Sequence, residues 1–296
     1  MSTERNNSPS QVLLVGPPRS GKTTFLAALN HVMEQGDVPG ALRLSQLGGD
    51  RAYLTSITAS WLAYEEISRT QDAGLNELTM TLVSPEDDNS EVELVVPDLL
   101  GESYDRYLED REWPVWFDNF AIATKGILLF VHPSHIIQPN LILEVEQAVS
   151  SLIGDESDGS GDTDAEEEWS VETMPTQVKL VELLQLLEYR QQDGLPARVG
   201  LIVSAWDTVP DDFDSADIWL QKTMPLLRQY LDFRVSRGVP YRVFGVSAQG
   251  GDLTKDIEKI INVERASDRI TVLSEGSEGL DPRDITAPIR WLMQGQ

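Results

Sequence analysis

The stretch Gly16-Pro17-Pro18-Arg19-Ser20-Gly21-Lys22-Thr23 constrains this chain more than any other. It follows a short apolar run, Val12-Leu13-Leu14-Val15, and leads directly into Thr24-Phe25-Leu26-Ala27-Ala28-Leu29. The order is strand, tight glycine turn, helix, which is the context that a phosphate-cradling loop requires. Gly16 and Gly21 let the backbone curl so that successive N–H groups turn inward toward a polyphosphate. The helix that opens beside Gly21 points its positive end at the same spot. In such a loop Lys22 reaches the β- and γ-phosphates, and the Thr23 hydroxyl helps to hold a Mg²⁺ ion. Pro17 and Pro18 lack an N–H, so the donors come from Arg19, Ser20, Gly21, Lys22, Thr23 and Thr24.

The rest of the composition narrows the setting of that loop. The chain has 296 residues, 41% of them hydrophobic, which is enough to bury a full core in one large domain. A formal net charge of -26 argues against broad contact with nucleic acid or anionic lipid. It also sets an unfavourable field around any phosphate, which backbone donors, Lys22 and Mg²⁺ must overcome, with Arg19 as a further cation. There is no cysteine, which excludes disulfides, thiolate zinc sites and cysteine nucleophiles and fits a reducing compartment. No run approaches the roughly 20 apolar residues needed to cross a bilayer, and residues 1–11 are polar rather than signal-like. A cytoplasmic protein without membrane or nucleic-acid partners is expected.

Read in order, residues 1–10 form a flexible lead-in and residues 11–296 a single domain. The first helix presents Phe25, Leu26, Leu29 and Val32 to a sheet and ends near Gly36. Asp50 is a candidate N-cap for a second helix over residues 51–69, with Tyr53, Leu54, Ile57, Trp61 and Leu62 at helical spacing. Thr55, Thr58 and Thr70 are candidates for a threonine that closes on Mg²⁺; Thr55 is carried forward as the metal candidate. Residues 75–83 and 91–96 alternate around a polar loop and predict a hairpin.

The hairpin delivers Pro97-Asp98-Leu99-Leu100-Gly101-Glu102. A carboxylate just past an apolar strand can hold Mg²⁺ through water, and a glycine three residues on can offer its N–H to the γ-phosphate. Asp98 and Gly101 take those roles, and Glu102 stands where a residue that orients water would stand. Residues 126–131 form another buried strand, followed by His132 and His135; two histidines without further ligands read as loop residues rather than a metal site. Residues 141–152 have a helical pattern, and residues 154–169 form an acidic insertion with almost no apolar content, expected to be flexible.

Residues 176–189 restore a helix, and residues 199–203 a buried strand that delivers Ser204-Ala205-Trp206-Asp207. An aspartate at that place can accept two N–H bonds from the edge of guanine, a donor pair that adenine lacks. A helix over residues 215–233 is interrupted at Pro225, and residues 241–246 form a strand ending in Ser247-Ala248-Gln249-Gly250, whose backbone at Ser247 and Ala248 can lie against the base. Residues 251–296 are a C-terminal extension closing with a short helix over 287–293.

Together these motifs resemble the P-loop GTPases of the translation-factor and Ras-like class, and most of all the bacterial double-GTPase (DO-GTPase) domain family, which carries a Ser-Ala-Trp-Asp form of the guanine motif. The resemblance spans roughly residues 10–250. Gly16 to Thr23 matches the first motif, Asp98 to Gly101 the third, Ser204 to Asp207 the fourth and Ser247 to Gln249 the fifth. It implies an α/β fold: three layers around a mostly parallel sheet, with one antiparallel strand from the hairpin before Asp98. It further implies GTP/GDP and Mg²⁺ as ligands, slow hydrolysis, and a switch acting on a protein effector or a second GTPase, in bacterial conflict or signalling systems. The common fourth motif has Asn or Thr and then Lys where this chain has Ser204 and Ala205. The missing lysine normally covers the base and braces the P-loop, so weaker guanine binding is expected. An ATPase of the same fold and a nucleotide-gated binding module with little hydrolysis are the competing readings.

Overall fold

The computed structural model describes residues 10–67, 78–85, 91–97, 107–111, 115–139, 170–190, 198–276, 279 and 281–294. Asp98, Gly101, Glu102 and Thr70 lie outside these residues, as do the helix expected over 141–152 and the acidic insertion 154–169.

Eight strands form one sheet. They are β1 (Ser10–Val15), β2 (Arg43–Gly48), β3 (Leu78–Val83), β4 (Glu91–Val96), β5 (Thr124–Val131), β6 (Arg198–Ser204), β7 (Tyr241–Ser247) and β8 (Thr271–Leu273). Their order is β2-β3-β4-β1-β5-β6-β7-β8. The centre from β4 to β7 is parallel, with Leu13 opposite both Val95 and Ile127, and Val131 opposite Val203. β3 runs antiparallel to β4, as the hairpin reading requires, with Leu78 opposite Val96. Two edge strands extend this plan: β2 pairs antiparallel with β3, and β8 antiparallel with β7.

Helices cover both faces: α1 (Lys22–Gln35), α2 (Arg51–Leu62), α3 (Val115–Ala123), α4 (Thr176–Arg190), α5 (Ala216–Thr223), α6 (Pro225–Ser236), α7 (Ile257–Ile261) and α8 (Ala287–Met293). The central strands are buried on both sides, so they read as continuous apolar runs, and alternate residues enter different cores. Val12 and Leu14 join Phe25, Leu29, Trp61 and Ile289 in one core, whereas Leu13 and Val15 join Phe117, Leu184, Trp219 and Leu231 in the other.

Local signals explain the boundaries. Gly36 ends α1 in the left-handed region, and its N–H donates to the Val32 carbonyl at 3.0 Å. Asp50 caps α2 by accepting from the Tyr53 N–H at 3.0 Å. That helix stops at Leu62, short of the expected Arg69, because the chain turns at Tyr64, whose φ is 60°. Pro225 divides α5 from α6 by occupying the first turn of the second helix, where a missing N–H costs nothing. The C-terminal segment is part of the core: Ile285, Ile289 and Leu292 are fully buried, and Thr286 Oγ1 accepts from the Leu42 N–H at 3.0 Å.

Candidate functional site

The parallel strands β1, β5, β6 and β7 all end at one edge of the sheet, and the loops leaving them meet there. The turn after β1 holds the unusual backbone that its glycines foretold. Gly21 has φ 88°, and a Cβ placed on it would lie 2.6 Å from Ser204 Oγ. A Cβ on Gly16 would lie 2.7 Å from the Phe130 carbonyl oxygen on β5. Both positions therefore need glycine for close approach as well as for curvature. Arg19 has φ 58° at the tip of the turn and is exposed.

Lys22 opens α1 and folds its ammonium back into the loop. Nζ donates to the Gly16 and Pro17 carbonyls, each at 2.8 Å, and to Ser20 Oγ at 3.2 Å. All three acceptors are neutral. Burial lowers the Lys22 pKa to about 7. A desolvated ammonium on neutral oxygens is a cation that an anion would stabilise strongly. Thr23 and Thr24 follow in the first turn of α1, both partly accessible. The glycine cradle, the lysine and the helix terminus together suit a polyphosphate.

Ser204 at the end of β6 ties this loop to the sheet. Its hydroxyl reaches the Ser20 carbonyl at 2.8 Å and the Val131 carbonyl at 3.2 Å. The serine thus provides bracing at the first position of the fourth motif, although the lysine position holds only the Ala205 methyl. Ala205 itself adopts φ 44°, ψ 46°, and the turn that follows is closed by Thr208 Oγ1 and N–H bonds to its carbonyl, at 2.8 and 2.9 Å. Trp206 lies across β7 so closely that a Cβ on Gly245 would come within 2.5 Å of its ring.

Asp207 and Ser247, from the two motifs expected to meet a base, are in contact. The Ser247 hydroxyl donates to Asp207 Oδ1 and accepts from the Gly250 N–H at 3.1 Å, leaving the exposed Asp207 carboxylate fixed in direction. Ala248 is held by a contact that the sequence did not announce: its carbonyl accepts from Trp61 Nε1 at 3.0 Å. The Arg269 guanidinium covers the Trp61 ring at 3.8 Å. A cavity of about 200 Å³ adjoins these loops, lined by Trp206, Asp207, Ser247, Lys259, Ile260 and Arg269. The C-terminal extension thereby forms part of the wall of this cavity.

The other expected residues are placed less centrally. Thr55 is exposed on α2 and donates to the Arg51 carbonyl at 2.9 Å; Thr58 is buried, donating to the Leu54 carbonyl and accepting from Asn30 Nδ2. Both hydroxyls are engaged within the helical layer, which gives Thr55 no support as a metal ligand. Asp98, Gly101 and Glu102 lie outside the described residues, but β4, which precedes them, is the neighbour of β1. His132 and His135 follow β5 with ring centroids 4.5 Å apart. Among the described residues no group of three or more His, Asp or Glu side chains is arranged to hold a metal.

No curated protein matches the chain in sequence. Among solved structures, a bacterial selenocysteine-specific elongation factor, EF-Sec, is similar at 12% identity and TM-score 0.37, over 86% of this chain and 28% of that one. The chain thus spans little more than a quarter of that factor's length. The signal recognition particle receptor SRb-GTP/SRX complex from Chaetomium thermophilum is similar at 13% identity and TM-score 0.39, over 81% and 91% of the two chains. A nucleolar GTP-binding protein 1 from Plasmodium falciparum is similar at 11% identity and TM-score 0.34, over 87% and 85%. The family model described as Double-GTPase 1 matches residues 13–292, so the chain that carries this phosphate loop and this aspartate belongs to the DO-GTPase1 family.

Proposed function

We propose that this chain binds GTP with Mg²⁺ at the carboxyl edge of the sheet, hydrolyses it slowly to GDP and phosphate, and switches a protein partner between two nucleotide-dependent states. The observation that carries the reading is the Lys22 ammonium, desolvated and held on three neutral loop oxygens, in a loop that Ser204 braces beside Asp207. A triphosphate would take over Lys22 and the N–H groups of residues 19–24. Asp207, oriented by Ser247, would accept the two N–H groups of the guanine edge, with the Ala248 backbone alongside. Thr23 and Asp98 are the residues that would hold Mg²⁺, which when bound offsets the negative charge of the β- and γ-phosphates.

For hydrolysis, Lys22 and the loop N–H groups stabilise charge on the transferring phosphoryl group, and Gly101 offers its N–H to the γ-phosphate. Glu102 orients the attacking water, and Arg19 at the loop tip supplies a further cation. The turnover expected of this set is slow because its water-orienting group is a carboxylate and Arg19 is exposed. In this reading the partner is a protein effector or an associated regulatory protein, with a second GTPase as one candidate. No helix among the described residues is long and apolar enough to cross a membrane.

Competition among GTP, ATP and XTP, followed by single-turnover phosphate release with the preferred nucleotide, tests this reading. It requires GTP to win and phosphate to be released by the isolated chain. ATP winning by tenfold, about 1.4 kcal/mol, would contradict it.

A further inference from the structure

Strand β5 lies between β1, which carries the phosphate loop, and β6, which carries Asp207. Neighbouring strands are about 4.8 Å apart, so β1 and β6 ends are separated by roughly 10 Å. Whatever joins a phosphate group at Lys22 to a base at Asp207 must pass over the end of β5. The residues at that end are His132 and His135, which the sequence offered only as loop histidines.

Their arrangement is built rather than incidental. His132 caps a short turn at residues 133–135, its Nδ1 accepting from the Ser134 N–H at 3.2 Å, so the hydrogen of the neutral ring sits on Nε2. The His135 ring stands edge-on to it, the planes 73° apart. This turn packs against residues 206–208. The sheet order puts the pair between the phosphate loop and Asp207, and the charges of Asp207 and Arg19 are felt at His132 and His135 respectively. Ser204, the first residue of the fourth motif, also approaches this end of β5, its hydroxyl 3.2 Å from the Val131 carbonyl.

We propose that His132 and His135 form the nucleoside-facing wall of the site, packing against the sugar and purine where these cross from Lys22 to Asp207. The proposal rests on the nucleotide-site reading above. Partial desolvation holds both imidazoles below their ordinary pKa, with His132, the less exposed of the two, at about 4 despite the Asp207 carboxylate. Neutral rings offer flat apolar surface and leave the Asp207 carboxylate for the base instead of pairing with it.

The test compares two probes, GDP and inorganic tripolyphosphate, by calorimetry on the full chain. The His132→Ala/His135→Ala double variant is expected to lose GDP affinity about tenfold while tripolyphosphate binding stays within about twofold of wild type. His135→Ala alone, at an exposed position, should lose part of the same GDP affinity. His132→Asn keeps an acceptor for the Ser134 N–H and should weaken GDP as much as His132→Ala does. Unchanged GDP affinity in the double variant would overturn the proposal, as would an equal loss for tripolyphosphate or full rescue by His132→Asn. In those three cases Lys22→Ala still abolishes binding and the phosphate-loop reading stands. Wild-type protein that binds neither probe would bring down that reading and the wall with it.

Discussion

The Ser204 hydroxyl donates to the Ser20 carbonyl at 2.8 Å, joining two motifs that lie 184 residues apart in the chain. Both residues are buried, and the same hydroxyl approaches the Val131 carbonyl. Ser204→Ala leaves these acceptors without the donor, which costs about 1–3 kcal/mol by the usual penalty for a buried unsatisfied group. Urea denaturation should show that loss, and GDP titration should show weaker binding, because the loop that the bond braces carries Lys22.

Lys22 links nucleotide binding to pH. Its pKa is about 7 in the folded chain, against an ordinary value of 10.5. Between these values the unfolded chain holds a proton that the folded chain lacks, so this group makes stability rise with pH from about 7 to 10.5. A polyphosphate restores the ammonium, so binding takes up a proton above pH 7 and affinity declines as pH climbs further. Calorimetry of GDP binding at pH 8, in two buffers of different ionisation enthalpy, should report proton uptake that vanishes at pH 6.

Trp61 connects the helical layer to the loop after β7 through its bond to Ala248. Trp61→Phe keeps the ring beneath Arg269 but removes the donor to the Ala248 carbonyl, an acceptor in a residue that is only 8% exposed. The expected loss is about 1–3 kcal/mol of stability. Base-dependent affinity should fall, with tripolyphosphate affinity nearly unchanged, as comparative titration would reveal.

Much of this was legible because the relevant signals are local. The glycine turn, the Asp50 cap, the Gly36 stop and the Pro225 break each act within a few residues of the sequence that encodes them. The unbroken apolar runs of β1, β5 and β6 likewise mark buried central strands. β2 escaped notice because an edge strand reading Arg-Leu-Ser-Gln-Leu-Gly has little to bury, and its register shifts after Leu44. β8 has three residues, too few for any period to show. The second helix was read too long because its apolar spacing runs up to Leu62, while the turn at Tyr64 has no glycine or proline to announce it.

The spacing of loop, lysine and aspartate along the strands could be read from the sequence, whereas the contacts that support them could not. Ser204 looked like a loss beside the commoner asparagine or threonine, yet its hydroxyl still reaches the phosphate loop. Trp61, Gly245 and the histidine pair join the site only through tertiary contacts, which no short-range pattern carries.

Asp207→Asn should change which base is preferred. The carboxylate offers two acceptors to guanine, whereas an amide offers one acceptor and one donor and so matches the corresponding edge of xanthine. GTP affinity is expected to fall at least about tenfold, by about 1.4 kcal/mol, while XTP affinity rises. Parallel titrations with the two triphosphates check both directions of the change.

The most direct measurement is the calorimetric titration of wild-type chain and Lys22→Ala with GTP in the presence of Mg²⁺. The ammonium held by Gly16, Pro17 and Ser20 should make the difference between tight binding and a loss of about a hundredfold or more, near 2.8 kcal/mol. Equal affinities in the two proteins would contradict the account.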